Sequence, residues 1–208
     1  RAPLRGIANL SQWIQDDLAS VMTPEVKGHL DLLRGRVRRL ESLIDGVLKY
    51  AKAGHTEEKI ETVDVASVLA ETIELLAPQP DARIEVASTM PTLSTQRVPL
   101  QQVFINLIGN ALKHGGRVDL HVKIEARDSG GFWEFSVADN GPGIAPEYHD
   151  RIWGIFQTLE ARDKVESTGM GLAVVRKIVE QKGGLAKVIS QQGAGATFCF
   201  TCPKMAKR

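Results

Sequence analysis

A polar stripe runs along one predicted helix near the middle of the chain. Asn106, Asn110 and Lys113 fall within about 60° of one another on a helical wheel. The apolar face of this helix lies roughly 130° away and comprises Leu100, Phe104, Leu107 and Ala111. Asparagine is a poor helix former, and Mg²⁺ takes only one or two protein oxygens while it keeps waters and phosphate oxygens. The stripe therefore predicts a face for magnesium and phosphate, with an ordinary solvated helix face as the alternative.

A second candidate for chemistry is the segment 139–144, which reads D-N-G-P-G-I. Asp139 shares the parity of Phe135 on a predicted strand, so its carboxylate should point to the same inward face. A buried carboxylate needs a partner, and the amino group of adenine is a suitable donor. Gly141 and Gly143 would let the backbone approach a flat ligand closely. The alternative is a plain turn, because D-N-G is a common turn sequence.

Glycines also open a predicted helix at residues 168–172, which read T-G-M-G-L. The start of a helix exposes backbone N–H groups and favours anions, so Gly169 and Gly171 indicate a phosphate site. The sequence contains no G-x-x-x-x-G-K-[ST] motif and no complete G-x-G-x-x-G motif, which excludes the P-loop and the dinucleotide-binding fingerprint. A flexible start of an ordinary helix is the alternative.

The elements that must hold these residues alternate between helix and strand. Predicted helices span residues 65–77, 99–114 and 171–181, and predicted strands span residues 83–87, 118–125, 133–137, 185–189 and 197–201. Some strand pairs read as hairpins, whereas others are separated by helices. The pattern predicts a mixed sheet with helices on one face, which is a two-layer α/β sandwich.

The first part of the chain follows a different pattern, because its apolar residues recur at alternating steps of four and three. The seam of the longer predicted helix is Val26, Leu30, Leu33, Val37, Leu40, Ile44, Val47 and Ala51. Such a seam is typical of coiled coils and four-helix bundles. Thr23 is the predicted N-cap, Pro24 the first helical residue and Gly54 the stop. Two helices bury such a seam poorly, which predicts a homodimer through residues 4–51. The alternative is a hairpin packed on the rest of the same chain.

Charge and composition exclude some classes of function. The formal net charge of the 208 residues is +1, which gives no electrostatic reason to expect nucleic-acid binding. No apolar run approaches the roughly 18–20 residues that cross a bilayer, so no membrane contact by this segment is expected. Cys199 and Cys202 lie three apart on a predicted strand and should point to opposite faces. They are expected to be ordinary thiols in a reducing cytoplasm rather than part of a zinc site.

The order of these motifs is more specific than any one of them. The striped helix at 100–114 is followed by D-N-G-P-G-I at 139–144, T-G-M-G-L at 168–172 and G-A-G-A-T-F at 193–198. This series resembles the asparagine box and the three glycine boxes of two-component sensor histidine kinases. Ile155 and Phe156 resemble the intervening F box, and residues 156–162 are similar to the lid of phytochrome-like kinases.

The resemblance covers nearly the whole chain and implies an α+β protein in two parts. Residues 1–55 would form a truncated dimerisation and phosphoacceptor hairpin, which is half of a dimeric four-helix bundle. Residues 61–205 would form the catalytic ATP-binding domain. The implied reaction transfers a phosphoryl group from ATP to a histidine, for relay to an aspartate on a response-regulator receiver domain. The implied location is the cytoplasm, below a sensor that could be soluble or membrane-bound.

The resemblance also implies roles for individual residues. Asn110 would hold Mg²⁺, Asp139 would bind the adenine amino group, and Arg162 would reach the γ-phosphate. The full implied ATP-binding set is Asn106, Asn110, Lys113, His114, Asp139, Gly141, Gly143, Ile144, Phe156, Arg162, Thr168, Gly169, Met170, Gly171, Leu172 and Thr197.

The histidine that would accept the phosphoryl group is expected just upstream of Arg1. In the family pattern H-[DE]-L-R-x-P-L it lies three residues before the arginine, which is Arg1 here. Of the histidines that are present, His114 is expected near the nucleotide. The other histidines are predicted to face solvent, and they are His29, His55, His121 and His149.

Two other functions share parts of this pattern. Gyrase-type, mismatch-repair and heat-shock ATPases use a glutamate one turn before the magnesium-binding asparagine as the base that activates water. That position is Asn106 here, which disfavours ATP hydrolysis as the main activity. The remaining alternative is a catalytically inactive dimeric scaffold that binds a response regulator, and the presence of Asn110, Asp139 and the glycine pair argues against it.

Overall fold

Helices and strands alternate after an initial pair of helices. The computed structural model describes residues 2–53, 59–159 and 168–204. The helices are α1 (Ala2–Asp17), α2 (Pro24–Lys52), α3 (Val65–Leu76), α4 (Arg97–His114) and α5 (Gly171–Gln181), with short 3₁₀ turns at Pro146–Tyr148 and Arg151–Trp153. The strands are β1 (Glu61–Asp64), β2 (Arg83–Val86), β3 (Thr92–Thr95), β4 (His121–Ser129), β5 (Phe132–Asp139), β6 (Ala186–Ser190) and β7 (Ala196–Pro203).

Helix α2 begins where its sequence predicts. Thr23 has extended backbone, and its hydroxyl accepts a 3.3 Å hydrogen bond from the N–H of Val26, while Pro24 is the first helical residue. This contact satisfies one of the N–H groups that a helix start leaves unpaired. Helix α2 ends at Lys52 with Ala53 as its C-cap, and the predicted stop at Gly54 lies outside the described residues.

Much of the heptad seam of α2 remains open to solvent. Leu33, Leu40 and Val47 keep 40%, 49% and 45% of their surface exposed, whereas Val37 is buried. Helix α1 packs along α2, and Arg34 of α2 donates a 3.0 Å hydrogen bond to Gln12 of α1. In one copy of the chain, neither α1 nor the rest of the described residues covers these three side chains.

The larger sheet is mixed, as the sequence predicts. Its strand order is β2-β4-β5-β7-β6, with β2 and β4 parallel and every other pair antiparallel. Three phenylalanines join this sheet to α4, because the ring centroid of Phe104 lies 5.7 Å from that of Phe135 and 5.4 Å from that of Phe200. All three are buried, and such aromatic contacts add to the free energy gained from burial. This core fixes α4 on the sheet and so orients its polar stripe.

A second, two-stranded sheet was not predicted from the sequence. Strands β1 and β3 pair antiparallel, with Val63 opposite Leu93 and both side chains buried. Glu61, the first residue of the predicted ATP-binding domain, is also the first residue of β1. Each of these strands has only four residues, which is too short to show a convincing alternation.

The predicted start of the strand at Val118 is wrong. Strand β4 begins at His121, and Val118 is 84% exposed in the preceding turn. The Nδ2 group of Asn140 donates a 2.9 Å hydrogen bond to the carbonyl of Asp119, and its Oδ1 atom accepts a 2.8 Å hydrogen bond from the N–H of His121. These contacts hold residues 117–120 as a turn, although the side-chain alternation suggests a longer strand.

Helix α2 also contacts α5 of the sheet domain. The ammonium group of Lys177 donates hydrogen bonds of 2.7 Å to the carbonyl of Tyr50 and 3.2 Å to that of Ala51. These carbonyls belong to the last turn of α2, where the carbonyl of Tyr50 also accepts a 3.2 Å hydrogen bond from the N–H of Ala53. Lys177 therefore caps α2 from a different part of the fold.

The two cysteines are free and buried. Cys202 belongs to the hydrophobic core, whereas Cys199 pairs in register with Lys187 of β6 and lies outside that core cluster. Burial raises the pKa of both thiols. None of the helices in the described part of the chain combines the length and apolar composition needed to cross a bilayer.

Candidate functional site

A cavity of about 320 Å³ opens where α4, the end of β5, the start of α5 and the start of β7 meet. Its lining residues are Asn110, His114, Asp139, Pro142, Gly143, Ile144, Ile152, Gln157, Thr158, Leu159, Gly169, Gly171, Leu172, Ala196 and Phe198. All three motifs that the sequence singled out contribute to this lining. These motifs lie within 100 residues of one another in the sequence, and the fold brings them together around one cavity.

The amide oxygens of Asn106 and Asn110 lie next to the start of α5. A methyl group at Gly171 would stand 3.2 Å from Oδ1 of Asn106 and 3.8 Å from Oδ1 of Asn110. The Nδ2 group of Asn106 donates a 2.8 Å hydrogen bond to the carbonyl of Gln102, one turn earlier. This bond fixes the amide plane and leaves Oδ1 facing the start of α5.

These oxygens suit a hard cation such as Mg²⁺, which prefers oxygen ligands and keeps part of its water shell. The described residues contain no group of three or more His, Cys, Asp or Glu side chains that could hold a metal ion. A cation at this position would therefore depend on asparagine, water and phosphate oxygens together. The start of α5 adds backbone N–H groups and a positive dipole end, both of which favour a phosphate.

Asp139 finds backbone partners at the other end of the cavity. Its Oδ1 atom accepts hydrogen bonds of 2.9 Å from the N–H of Gly141 and 3.3 Å from that of Ala196. Burial raises the pKa of this carboxyl, and the two backbone hydrogen bonds oppose that rise. The carboxylate is thus held in place without a ligand, which the sequence alone did not predict, and it still lines the cavity.

Two glycines of the cavity wall serve contacts within the protein. Gly143 has a φ of +69°, and a methyl group there would collide with the carbonyl oxygen of Gln191. Gly169 has a φ of +63°, and a methyl group there would collide with the backbone of Gln157. Other residues rarely adopt this conformation. Gly143 was expected to admit a flat ligand and Gly169 to mark a phosphate site, and in the structure each also brings two backbone segments together.

Eight of the predicted site residues line the cavity, and they are Asn110, His114, Asp139, Gly143, Ile144, Gly169, Gly171 and Leu172. Asn106 and Gly141 do not line the cavity but contact residues that do. Asn106 lies beside Gly171, and Gly141 donates a hydrogen bond to Asp139. Lys113 is exposed at the end of α4. Arg162 lies outside the described residues.

Four other predicted residues are placed differently. Thr197 lies between the lining residues Ala196 and Phe198, and strand alternation turns its side chain to the opposite face of β7. Met170 is buried against α2, because a methyl group at Gly46 would stand 2.8 Å from its Cγ atom, and Thr168 lies beside the same glycine. Phe156 has a φ of +61° and an exposed ring, and its backbone lies against Gly169.

The remaining lining residues were not in the predicted ATP-binding set, although all but Ile152 lie within segments that the sequence analysis named, and they are Pro142, Ile152, Gln157, Thr158, Leu159, Ala196 and Phe198. For Ala196 and Phe198 a signal existed, since they share the parity of the core residue Phe200 on β7. Gln157 and Thr158 lie in an irregular segment, where no periodicity indicates which side chains point inward.

Two histidines are less exposed than predicted. The Nε2 atom of His149 lies 3.1 Å from the carbonyl oxygen of Ile144, beside the cavity. The Nε2 atom of His121 is buried, 3.3 Å from a carboxylate oxygen of Glu85. His29 is exposed as predicted, and His55 lies outside the described residues.

The sequence profile of the family described as histidine kinase-, DNA gyrase B- and HSP90-like ATPase matches residues 95–206. This match includes α4, the cavity loops, α5 and the last four strands of the larger sheet.

Named proteins with similar sequences are sensor kinases. The chain is 35% identical over 204 residues to the phytochrome-like protein Cph1 of Synechocystis sp., covering 97% of this chain and 27% of that protein. It is 30% identical to the sensor histidine kinase ZraS of Escherichia coli, covering 98% of this chain and 43% of that protein. The chain therefore spans less than half the length of either relative.

A solved structure shares the arrangement of both parts. The crystal structure of full-length ShkA in complex with AMPPNP aligns with a TM-score of 0.69 at 31% identity, covering 100% of this chain and 44% of ShkA. The α+β fold, with helices in front of a mixed-sheet domain, is thus that of a histidine-kinase ATPase domain.

Proposed function

This chain belongs to the histidine kinase-, DNA gyrase B- and HSP90-like ATPase family, and from that membership we propose that it is the catalytic region of a sensor protein-histidine kinase. Its substrate would be ATP, and the phosphoryl group would pass to a histidine and then to an aspartate on a response-regulator receiver domain. One observation carries the proposal. The amide oxygens of Asn106 and Asn110 meet the start of α5 at one end of a cavity whose other end holds Asp139.

We assign the two ends of the cavity to the two ends of the nucleotide. Asp139, Ile144 and Phe198 give a half-buried acceptor among apolar side chains, which suits adenine with its exocyclic amino group. Asn110 gives an oxygen ligand beside the helix start at Gly169 and Gly171, whose backbone N–H groups suit the phosphates. Mg²⁺ bound by Asn110 would neutralise charge on the phosphate oxygens.

The proposed reaction depends more on the positioning of the reactants than on covalent catalysis by the protein. A nitrogen of the acceptor imidazole would bond to the γ-phosphorus, and the bond from that phosphorus to the β,γ-bridging oxygen would break. ADP would leave with the electron pair, and the imidazole proton would pass to a base. Residues that hold the phosphates in line and stabilise their charge supply most of the rate gain in such transfers. The Asn106–Asn110 face and the start of α5 would provide these contacts.

Hydrolysis of ATP is a weaker candidate as the main activity. Asn106 cannot accept a proton from water at neutral pH, and its Nδ2 group is already engaged with Gln102. An amide at this position can orient a phosphate or a metal-bound water. The site therefore favours transfer to an external nucleophile over activation of water.

We further propose that the chain acts as a homodimer through the exposed seam of α2, with the hairpin spanning residues 1–55 and the ATP-binding domain spanning residues 61–205. Leu33, Leu40 and Val47 form an apolar stripe that one copy leaves open. A second copy of the hairpin would complete a four-helix bundle. Such a bundle would present the acceptor histidine and the response regulator's docking surface. Because ATP and receiver domains are cytoplasmic, this segment would work in the cytoplasm.

The first test is calorimetric titration of the chain with ATP or AMPPNP, with and without Mg²⁺. Asn110→Ala should weaken the Mg²⁺-dependent binding by roughly 10- to 100-fold, the range expected for a lost contact to charged groups. Asn9→Ala, an exposed position on α1, is the matched control and should bind like the wild type. If the unmodified chain binds no nucleotide, the kinase assignment fails and the scaffold that binds a response regulator without catalysis takes its place.

Phosphotransfer is tested separately in the full-length protein, with whatever sequence its gene places before Arg1. Incubation with ATP labelled at the γ position should give a phosphoryl group that is labile in acid and stable in alkali, as expected for a phosphoramidate. Asn110→Ala should abolish the label. A label that survives acid would indicate a hydroxyl acceptor and contradict the proposal.

A further inference from the structure

The last residue of β6, Ser190, joins two loops of the cavity wall. Its hydroxyl oxygen accepts a 2.8 Å hydrogen bond from the backbone N–H of Ile144, and the hydroxyl donates a 2.6 Å hydrogen bond to the carbonyl of Gly195. Ile144 lines the cavity, and Gly195 directly precedes the lining residue Ala196. Ser190 is half-buried and is not among the lining residues. One hydroxyl therefore links both loops from behind.

Ile144 depends on side chains for its backbone hydrogen bonds. It lies in neither a helix nor a strand, so no regular ladder pairs its N–H and C=O groups. Ser190 takes the N–H group, and the ring of His149 lies 3.1 Å from the carbonyl oxygen. A buried backbone group that loses its partner is costly. The position of the Ile144 side chain in the cavity is thus set by these two neighbours.

The same two loops approach each other closely along their length. The N–H of Gly193 donates a 2.6 Å hydrogen bond to the carbonyl of Pro142, and a methyl group at Gly143 would collide with Gln191. The N–H of Ala196 donates to Oδ1 of Asp139. The spacing between Ile144 and Asp139 is therefore fixed through the turn that joins β6 to β7, and Ser190 lies at the base of that turn.

We propose that Ser190 is a positioning residue for the adenine end of the cavity. It acts through Ile144 and Ala196 and does not touch the nucleotide. The inference rests on the proposed function, since it requires a nucleotide to occupy this cavity. Without the hydroxyl, nothing would join the N–H of Ile144 to the carbonyl of Gly195. The two loops would then move apart, and the part of the cavity that holds the base would widen. The phosphate end, formed by Asn110 and Gly171, would stay unchanged.

The test compares the affinities of two ligands that depend on the two ends of the cavity to different degrees. ADP in the presence of EDTA relies on the adenine end, whereas ATP with Mg²⁺ also uses the metal and phosphate contacts. Ser190→Ala should weaken both ligands by the same factor of about 5- to 30-fold, which corresponds to one or two neutral hydrogen bonds. Ser190→Thr keeps the hydroxyl and should restore both affinities. Ser129→Ala, at an exposed hydroxyl that ends β4, is the matched control and should bind like the wild type.

Three outcomes would overturn this role while the wild type still binds. The first is a Ser190→Ala variant that binds both ligands normally. The second is a loss confined to ATP with Mg²⁺, which would place the effect at the phosphate end. The third is a Ser190→Thr variant that melts like the wild type yet binds as weakly as Ser190→Ala, since the retained hydroxyl would then serve stability alone. If the wild type binds neither ligand, the proposed function itself fails and this inference fails with it.

Discussion

The ammonium group of Lys177 lies 4.6 Å from the ring centroid of Tyr50 and donates a 2.7 Å hydrogen bond to the same residue's carbonyl oxygen. The two residues join α5, whose first residue lines the cavity, to the last turn of α2, which carries the apolar seam. A cation at a helix C-terminus can donate hydrogen bonds to the last carbonyls and interacts favourably with the negative dipole end. This charged contact therefore connects the helix that starts at the nucleotide cavity to the proposed dimer helix.

Lys177→Met should loosen the end of α2 without affecting the cavity. The variant removes a charged donor to two carbonyls, so amide hydrogen exchange in the last turn of α2 should accelerate by roughly 10-fold or more. Affinity for ADP should stay within about twofold, because Lys177 is not a lining residue. Arg176→Met is the matched control, since that guanidinium pairs with Glu180 on an exposed face. Unchanged exchange in the Lys177 variant would show that the cap is energetically silent.

Three glycines of α2 make a controlled series. A methyl group at Gly28 or Gly35 would meet no atom within 4 Å, whereas at Gly46 it would stand 2.8 Å from Cγ of Met170. Gly28→Ala and Gly35→Ala should each stabilise the helix by about 0.5–1 kcal/mol. Gly46→Ala should cancel or reverse that gain, because overpacking costs about 1–3 kcal/mol. Denaturant unfolding measures all three, and a Gly46 variant as stable as the Gly35 variant would mean that α2 does not pack on Met170.

Asp139→Asn should raise stability while it lowers nucleotide affinity. Burial raises the pKa of this carboxyl, so its contribution to stability is present below the ordinary carboxyl pKa and is lost as pH rises through the folded-state pKa. A neutral asparagine avoids that loss. The thermal midpoint of the nucleotide-free variant should exceed that of the wild type at pH 7, and the gap should close as pH falls toward about 4.

Asp119→Asn is the control for this pH series. A hydrogen bond from Arg117 lowers the pKa of the exposed Asp119 carboxyl, which is the opposite direction, so this variant should show no gain at pH 7. Titration with ADP should show weaker binding for Asp139→Asn alone. An Asp139 variant with no thermal gain at any pH would mean that the charged carboxylate costs the fold nothing.

Long, regular elements could be predicted from sequence because many residues repeat the same signal. Helix α4 has 18 residues, and its predicted core face, which includes Phe104 and Leu107, is fully buried in the structure. The seam of α2 was equally clear for this reason. The short strands β1 and β3 could not be found, because their pairing depends on contacts between segments about 30 residues apart in the chain rather than on local pattern.

The site shows the same division. Asn110 and Asp139 both line the cavity, because their helical and strand parity decides where they point. Thr197 was assigned to the cavity by resemblance, although alternation on β7 places its side chain on the other face. Ser190 escaped notice because a single serine at a strand end carries no pattern. Its importance arises only when the fold brings Ile144 beside it.

The dimer proposal predicts a difference between two leucines of α2. Leu40 lies on the heptad seam and Leu32 lies off it, and both are about half exposed in one copy of the chain, at 49% and 57%. Leu40→Glu would bury a charge in the proposed bundle, which is strongly unfavourable, so sedimentation analysis should show a monomer. Leu32→Glu should remain a dimer. A monomeric wild type, or a Leu40 variant that still dimerises with the wild-type affinity, would contradict the proposal that the chain dimerises through the heptad seam of α2.

Gly171→Ala tests the phosphate end of the cavity without removing any functional group. The methyl group would stand 3.2 Å from Oδ1 of Asn106, in the space where a metal or phosphate oxygen would lie, while alanine favours the helix by up to about 1 kcal/mol. The variant should melt no lower than the wild type yet bind ATP with Mg²⁺ about 10-fold more weakly, with ADP in EDTA less affected. Gly109→Ala on α4 is the matched control, because its methyl group would meet only Leu76, at 3.8 Å. If Gly171→Ala bound ATP with Mg²⁺ like the wild type, the phosphates would have to lie elsewhere than between Asn106 and the start of α5.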